Sequence, residues 1–519
     1  MLNDIIETKD IINKKTVILS ETPVTIEMIS TVANENAIIE MSSDTIKRIE
    51  NGRKLIEQII IAGKPVYGVN TGLGDNYRIA VSPDDSRAMQ HRFIESHACG
   101  VGRPLSRESV RAVIFAMIVN FSHGHSGVRL LIVEKLIELL NKDITPYVPE
   151  DGSVGYLSYQ AHISLVLIGS GKVLTEKGEM IAATEIYQQK DFHPVTLYEK
   201  EGLSLLNGSV DMTALAALAV NKAQNLLKHA DLIAMMSFQA LNGNTQAFEE
   251  QIGRLKPQPG LKTTLDNINT LNAGYSADKT KKPLQDALSL RAIPQVHGAS
   301  RDALSHVREI VEIELNSSTD NPMVIEKEGK PYVFSSANPH GQSIALAMDY
   351  LAIAISELAN ISERRTYRLN NPHLSQLPAF LVENPGINTG FMITQYVSSD
   401  LVAKNKVLAH PASVDSIPNS AAQEDHVSMG NHAAQKALQI IKNSQSVLAI
   451  EWLTAAQGME FGDNTLFSYA MKKIHALLRA EIPRLSNDRQ MYHDIHLTID
   501  LIEKKCAITA LERNGISLM

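Results

Sequence analysis

The chain has 519 residues, 44% hydrophobic and 20% charged, and a formal net charge of −8 without a basic block. This composition is typical of a soluble globular protein and excludes binding of nucleic acid or of an anionic membrane as the main activity. Only Cys99 and Cys506 carry thiols, which excludes a disulfide framework and a Cys-rich metal site. The acidic start, MLNDIIETKD, lacks the features of a signal peptide, so we expect a cytoplasmic protein.

Hydrophobic periodicity predicts helices along most of the chain, after one or two short strands within residues 15–30. The predicted helices cover residues 33–63, 84–99, 107–121, 126–141, 211–255, 297–318, 340–366, 387–408, 430–458 and 464–479. A hairpin with Gly329 at its turn is predicted in MVIEKEGKPYVF. The stretch from Ser343 to Ser362 contains Asp349 and Glu357, which favours a buried helix over a membrane span.

The apolar faces of the long helices are too wide for single surface helices, which predicts an all-α protein with one elongated central bundle. We expect an N-terminal helical part over residues 1–205, the long-helix bundle over 206–479 and a helical tail over 480–519. Helices of this length often bury apolar faces against other subunits, so oligomerisation is also expected.

Polar, glycine-containing loops between these helices predict a composite binding site. They run from Tyr67 to Gly74, Ser96 to Gly102, Leu206 to Ser209, Gln285 to Arg291, Ser335 to Gln342 and Gln423 to His426. A further loop, Gly152 to Gly155, precedes an apolar helix. Its glycines would let backbone amides approach a ligand, although such a loop is also common as an ordinary tight turn.

The loop sequences resemble those of the histidine and phenylalanine ammonia-lyase family. YGVNTGLG, SHACGVG, GSVG, LLNG, LQDALSLR, NPHGQ and NKVLAHPASVDSIPNSAAQEDHVSMG follow one another from about Val66 to Asn431. The resemblance implies a homotetramer with a long central helical bundle and active sites where three subunits meet. It also implies a small-molecule substrate.

One family feature is missing. The family's electrophile, a 4-methylidene-imidazol-5-one, forms by cyclisation of an Ala-Ser-Gly tripeptide that follows the GSxG loop. Here Gly155 is followed directly by Tyr156-Leu157-Ser158-Tyr159, so we expect no such cofactor. Without the electrophile, loss of an α-amino group from histidine should be slow. A trimethylammonium group leaves more readily, because it departs as a neutral amine without needing an acid.

The choice of side chain follows from two more matches to the histidine-specific members. Ser96-His97 and the Glu of Gln423-Glu424-Asp425 suit an imidazole ring, whose nitrogens can hydrogen-bond to His97 and Glu424. The combined pattern resembles the ergothionases of this family. It predicts an imidazole betaine substrate, with elimination of trimethylamine from ergothioneine to give thiolurocanate.

The resemblance assigns further roles residue by residue. Tyr67 matches the catalytic tyrosine and would remove the β-proton, for which we expect a pKa lowered by a nearby cation. Arg291 matches the arginine that binds the substrate carboxylate. Asn207 matches a residue that binds substrate or electrophile, and Asn338 lies in the NPHG turn. Tyr67 could instead be a structural loop residue, and Arg291 could form a surface ion pair.

Departures from the family pattern point to other candidates. Leu288 stands where the family has a second tyrosine, and Pro339 where it has an aromatic residue. Lys404 replaces a common Glu; it could bind the substrate carboxylate, stabilise developing charge and lower the pKa of Tyr67, or be a solvated lysine. Tyr156 and Tyr159 could hold a quaternary ammonium by cation–π contact or only fill the space of the missing tripeptide.

Three alternatives remain open: a hercynine lyase, a true histidine ammonia-lyase whose processed electrophile is not visible in the written sequence, and a catalytically inactive homologue that binds a ligand or scaffolds an oligomer. The retained Tyr67, Arg291 and Glu424 argue against an inactive protein. His123 and His125 form an H-x-H pair without a carboxylate or Cys close by in sequence, so no metal is expected.

Overall fold

The computed structural model describes residues 15–63, 65–278, 280 and 284–519, and the N-terminal segment used to exclude a signal peptide lies outside these ranges. The chain forms two compact units. The first comprises Met1–Asn221, Glu309–Met348 and Pro411–Gln435; the second comprises Lys222–Arg308, Asp349–His410 and Lys436–Met519. The three-part division expected from the sequence stays a prediction.

Helices dominate both units, which confirms the all-α class. The helices are α1 Ile26–Asn34, α2 Ser43–Ile61, α3 Pro83–His97, α4 Arg107–Ser122, α5 Leu130–Asn141, α6 Ser158–Leu167, α7 Ala183–Lys190, α8 Glu201–Leu206, α9 Val210–Ala240, α10 Glu250–Leu255, α11 Pro259–Leu271, α12 Leu288–Arg291, α13 Ile293–Leu315, α14 Gln342–Asn370, α15 Pro372–Ser375, α16 Met392–Leu408, α17 Gly430–Met459, α18 Tyr469–Glu481, α19 Met491–Glu503 and α20 Cys506–Glu512. The strands are β1 Thr16–Leu19, β2 Ile38–Met41, β3 Val101–Pro104, β4 Thr145–Pro146, β5 Pro149–Asp151, β6 Lys172–Leu174, β7 Met180–Ala182, β8 Met323–Lys327 and β9 Lys330–Phe334.

The first unit is built around α4, which is buried from Ser109 to Ser122 and packs against α1 and α5. Its N-terminus is capped by Ser106, whose hydroxyl accepts a hydrogen bond from the Ser109 amide at 3.2 Å. Small sheets surround this core: β1–β2 is parallel, whereas β3–β5, β4–β6–β7 and β8–β9 are antiparallel.

The second unit has a helical core with buried charges. Trp452 is fully buried, and Arg365 forms a buried ion pair with Glu451 at 2.6 Å. Glu451 also accepts a hydrogen bond from Ser237 at 2.6 Å. Such a network ties α9, α14 and α17 together inside this unit, because an unpaired buried charge would be costly.

Most predicted helices are confirmed, with two clear errors. The predicted helix over 33–63 begins only at Ser43, because Ser42 caps it and β2 precedes it. The predicted helix over 211–255 ends already at Ala240, and Asn242, two residues later, adopts a left-handed φ of 56°. The β8–β9 hairpin is confirmed, with Glu328 and Gly329 at φ of 55° and 72°.

In the part of the chain that the structure describes, two helical stretches are long and apolar enough by composition to cross a membrane, residues 201–240 and 342–370. The most apolar window of the first is 100% buried within the protein, and that of the second is 67% buried. Both therefore fit core helices, as the sequence predicted for Ser343 to Ser362.

Candidate active site in the first unit

Three glycine loops of the first unit converge on Met212, in the first turn of α9. A Cβ atom added to Gly341 would lie 2.2 Å from Met212 Sδ, and one added to Gly430 would lie 2.4 Å from the same atom. At Gly155 it would lie 2.9 Å from Met212 Cε, and φ there is 140°. Each position therefore needs glycine so that three motif loops can share one methionine.

Asp211 anchors the loop before Tyr156. Its buried carboxylate accepts hydrogen bonds from Ser153 Oγ and Asn431 Nδ2, both at 2.9 Å. Burial raises the pKa of Asp211 to about 6, although these hydrogen bonds oppose the shift. Asp211 was not among the predicted site residues. The signal that could have found it is a single charged residue in the largely apolar stretch from Val210 to Val220.

Tyr67, Tyr156 and Glu424 form a cluster that we call the phenol–carboxylate cluster. Tyr156 hydrogen-bonds the Glu424 carboxylate, and its pKa is raised by burial first and then by Glu424. Burial and the Glu424 charge also raise the pKa of Tyr67, whose hydroxyl accepts a hydrogen bond from the Gly74 amide at 3.0 Å. The direction for Tyr67 is opposite to the lowered pKa expected from the sequence, since the charge beside it is an anion.

Tyr159 belongs to the core of this unit. It has no exposed surface, and its hydroxyl donates a hydrogen bond to the Glu150 carbonyl at 2.6 Å. The Gln435 amide donates to the same hydroxyl at 2.5 Å. A ring enclosed in this way cannot offer its face to an ammonium ion, so Tyr159 corresponds to the alternative interpretation of a tyrosine that fills space. Tyr156, by contrast, is only half-buried.

Other predicted contacts also lie in the first unit. His97 ends α3, half-buried, with Nδ1 2.7 Å from the Phe93 carbonyl oxygen. The Nδ2 atom of Asn207, half-buried after α8, donates to Asp320 Oδ1 at 3.0 Å. Asn338 is exposed, and its Nδ2 donates to the Ser318 carbonyl at 3.1 Å.

Arg291 and Lys404 lie in the second unit. Arg291 lines a cavity of about 340 Å³ together with Asn244, Gln246, Ala247, Ile252, Leu284, Gln285, Asp286 and Gln295. Its Nε atom is buried and, within the described ranges, has no hydrogen-bond partner, which leaves a donor for an anion. Lys404 is exposed on α16 and pairs with Asp400 at 2.7 Å.

The residues after the GSVG loop do not fit the family's electrophile. An Ala-Ser-Gly run occurs nowhere in the sequence, and Tyr156 directly follows Gly155. The space at Gly155 is also closely packed, because an added Cβ would lie 2.6 Å from Ser428 Oγ. Tyr156, the first residue after the point where the tripeptide is missing, instead hydrogen-bonds Glu424.

Three comparisons with known proteins agree on one family. The model of the aromatic amino acid lyase family matches residues 24–480. Histidine ammonia-lyase of Treponema denticola is 43% identical over 503 residues, covering 96% of this chain and 99% of that protein. The crystal structure of histidine ammonia-lyase from Trypanosoma cruzi superposes with a TM-score of 0.90 at 37% identity, covering 96% of this chain and 95% of that one.

The comparisons overturn the predicted elimination of trimethylamine from ergothioneine. The ergothionase of Treponema denticola has a TM-score of 0.88 but only 28% identity, over 95% of this chain and all of that one. Several relatives named histidine ammonia-lyase are 41% to 44% identical over nearly the full length. The ergothionase prediction is therefore wrong: it gave the missing tripeptide more weight than the similarity of the whole chain.

Proposed function

Because the chain belongs to the aromatic amino acid lyase family, we propose that it is a carbon–nitrogen lyase of the histidine ammonia-lyase type. It would remove the α-amino group and a β-proton from an amino acid that bears an imidazole ring. The observation that carries this proposal is the near full-length similarity to proteins named histidine ammonia-lyase, together with a Glu424 carboxylate that lies beside Tyr67. A carboxylate can accept the N–H of an imidazole ring.

Elimination in this site starts from an aromatic base. Tyr67 as phenolate takes the β-proton, the C–H electron pair becomes the new double bond, and the C–N bond breaks. The amine leaves with its electron pair, as ammonia from an α-ammonium group. Arg291 is proposed to bind the substrate carboxylate through its unpartnered Nε.

Binding of the substrate itself can lower the raised pKa of Tyr67. Glu424 contributes to the shift through its negative charge. A substrate ring that donates a hydrogen bond to Glu424, or a cationic group placed beside it, offsets that charge. The pKa of Tyr67 then falls, which favours the phenolate.

We also propose that the reaction proceeds without the family's electrophile, since the sequence lacks its precursor. The same observation favours a second candidate function, a ligand-binding protein without catalytic activity. The two differ in one measurable respect: both bind an imidazole amino acid, but only the lyase releases ammonia.

The test is to incubate the purified protein with L-histidine, with ergothioneine as a comparator, and to follow ammonia, trimethylamine and the ultraviolet band of the unsaturated acid. We expect ammonia and the acid from histidine, and a loss of both in Tyr67→Phe. Histidine binding without product would support the second candidate instead. If trimethylamine from ergothioneine were the sole product, the proposal would be refuted.

Lys404 is proposed as a further carboxylate-binding cation of the same reaction. Lys404→Met should then raise KM for histidine. Asp400→Asn removes the ion-pair partner of Lys404 on α16, and it should either leave KM unchanged or lower it. An unchanged KM in Lys404→Met would identify a solvated lysine.

A further inference from the structure

A buried ion pair in the first unit is hydrogen-bonded to the side chain of Asn207. Lys200 Nζ and Asp320 Oδ2 are 3.0 Å apart, and neither side chain has exposed surface. Lys200 adopts a left-handed φ of 75° at the start of α8, a conformation that is unfavourable for a residue other than glycine. The surrounding structure holds this lysine in place despite that cost.

Both carboxylate oxygens of Asp320 accept two hydrogen bonds each. Oδ2 accepts hydrogen bonds from Lys200 Nζ at 3.0 Å and from Ser204 Oγ at 2.9 Å. Oδ1 accepts from the Asn321 amide at 2.6 Å and from Asn207 Nδ2 at 3.0 Å. This carboxylate is therefore a fixed acceptor that cannot rotate without losing several bonds.

The pair decides which end of the Asn207 amide is free. Nδ2 donates both to Asp320 Oδ1 and, at 2.5 Å, to the Asn321 carbonyl oxygen. Both partners are acceptors only, so a flipped amide would place oxygen against oxygen. The remaining end of the half-buried amide is Oδ1, an acceptor for which no donor is found in the part of the chain that the structure describes.

We infer that Lys200 and Asp320 are positioning residues that fix the Asn207 amide with its oxygen towards the substrate, and that this oxygen accepts a hydrogen bond from the substrate's α-ammonium group. An amide oxygen in this place favours a ligand with N–H donors and disfavours one that lacks them. The inference rests on the proposed function, since it takes the substrate to be an α-amino acid. Burial lowers the pKa of Lys200, while Asp320 opposes the shift.

The test compares two ligands that differ only in the amine: L-histidine and imidazolepropionate, which has the same ring and carboxylate. The key variant is Asp320→Asn, which has nearly the same shape as the native residue. Its amide can keep its oxygen towards Lys200 but then places its NH2 group against Asn207 Nδ2, so Asn207 loses this acceptor and its amide is no longer held in one orientation. Dissociation constants are measured by calorimetry, with Tyr67→Phe as the background so that histidine is not consumed.

We expect Asp320→Asn to weaken histidine binding by roughly tenfold or more, the effect of one hydrogen bond from a charged donor, and to leave imidazolepropionate binding unchanged. The matched control is Glu201→Gln, which alters a buried carboxylate one residue from Lys200 that binds Arg129 at 2.7 Å. It should leave the preference for histidine unchanged. If Asp320→Asn does not fold, the double variant Lys200→Met/Asp320→Leu removes both buried charges together with the acceptor for Asn207 Nδ2, and should show the same loss of preference.

Equal weakening of both ligands, or no change in either, would overturn the inference. The proposed function is tested by a separate outcome. Histidine that binds to the unmodified protein but is not converted refutes the lyase activity. The ratio of the two affinities then still decides the role of Asn207. An unmodified protein that binds neither ligand refutes both.

Discussion

Replacement of Tyr156 by Phe removes a single hydroxyl group at the position where the family's electrophile precursor is missing. In the phenol–carboxylate cluster this hydroxyl hydrogen-bonds the Glu424 carboxylate, and its raised pKa keeps it protonated as a donor. A hydrogen bond to a charged group contributes about 1.5–3 kcal/mol. Both side chains are half-buried, so solvent screens part of this interaction, and we take the lower end.

A loss of about 1.5 kcal/mol corresponds to roughly a tenfold lower kcat/KM for histidine. The assay measures kcat/KM by ammonia release. Tyr159→Phe is the matched control, because Tyr159 lies three residues further along, in the first turn of α6, and its hydroxyl binds the Glu150 carbonyl. We expect this control to lower the free energy of unfolding by about 1–3 kcal/mol with little change in kcat/KM. Equal kcat/KM in Tyr156→Phe and in the unmodified protein would show that Tyr156 only fills space.

Further predictions concern the carboxylate site, the buried acid and the cofactor. Arg291→Met should raise KM for histidine roughly tenfold to a hundredfold, because the substrate carboxylate loses a charge-assisted hydrogen bond. Arg254→Met, at an exposed arginine paired with Glu250, should leave KM unchanged. An unchanged KM in Arg291→Met would refute carboxylate binding by Arg291. The pKa of Asp211 is raised to about 6, so the folded protein binds more protons than the unfolded chain between about pH 4 and 6. Stability from this group therefore falls as pH rises through that window, by on the order of 3 kcal/mol in total, and Asp211→Asn should flatten the dependence in denaturant unfolding. Intact mass spectrometry should give the mass of the unmodified sequence, since electrophile formation would remove two water molecules.

The fold class could be predicted from sequence because helical periodicity is a local property. The helices α4, α5 and α17 begin and end within a few residues of their predicted bounds. Errors arose where local signals compete. Ser42 caps α2 and lets the preceding residues pair as β2, although their apolar residues also fit a helix. The short strands β3, β4 and β5 pair with partners distant in sequence, so no local pattern marks them.

The sequence by itself determined the family, the motif loops and the absence of an Ala-Ser-Gly run after Gly155, because these are statements about residue order. Tertiary structure decided what the replacement does. Tyr156 and Tyr159 look equivalent in sequence, yet one reaches Glu424 and the other is enclosed in the core. Likewise, the Lys200–Asp320 pair joins residues 120 positions apart, and only folding makes it the support of Asn207. Burial and charge are set by neighbours in space, so the pKa of Tyr67 and the free end of an amide follow from packing rather than from residue type.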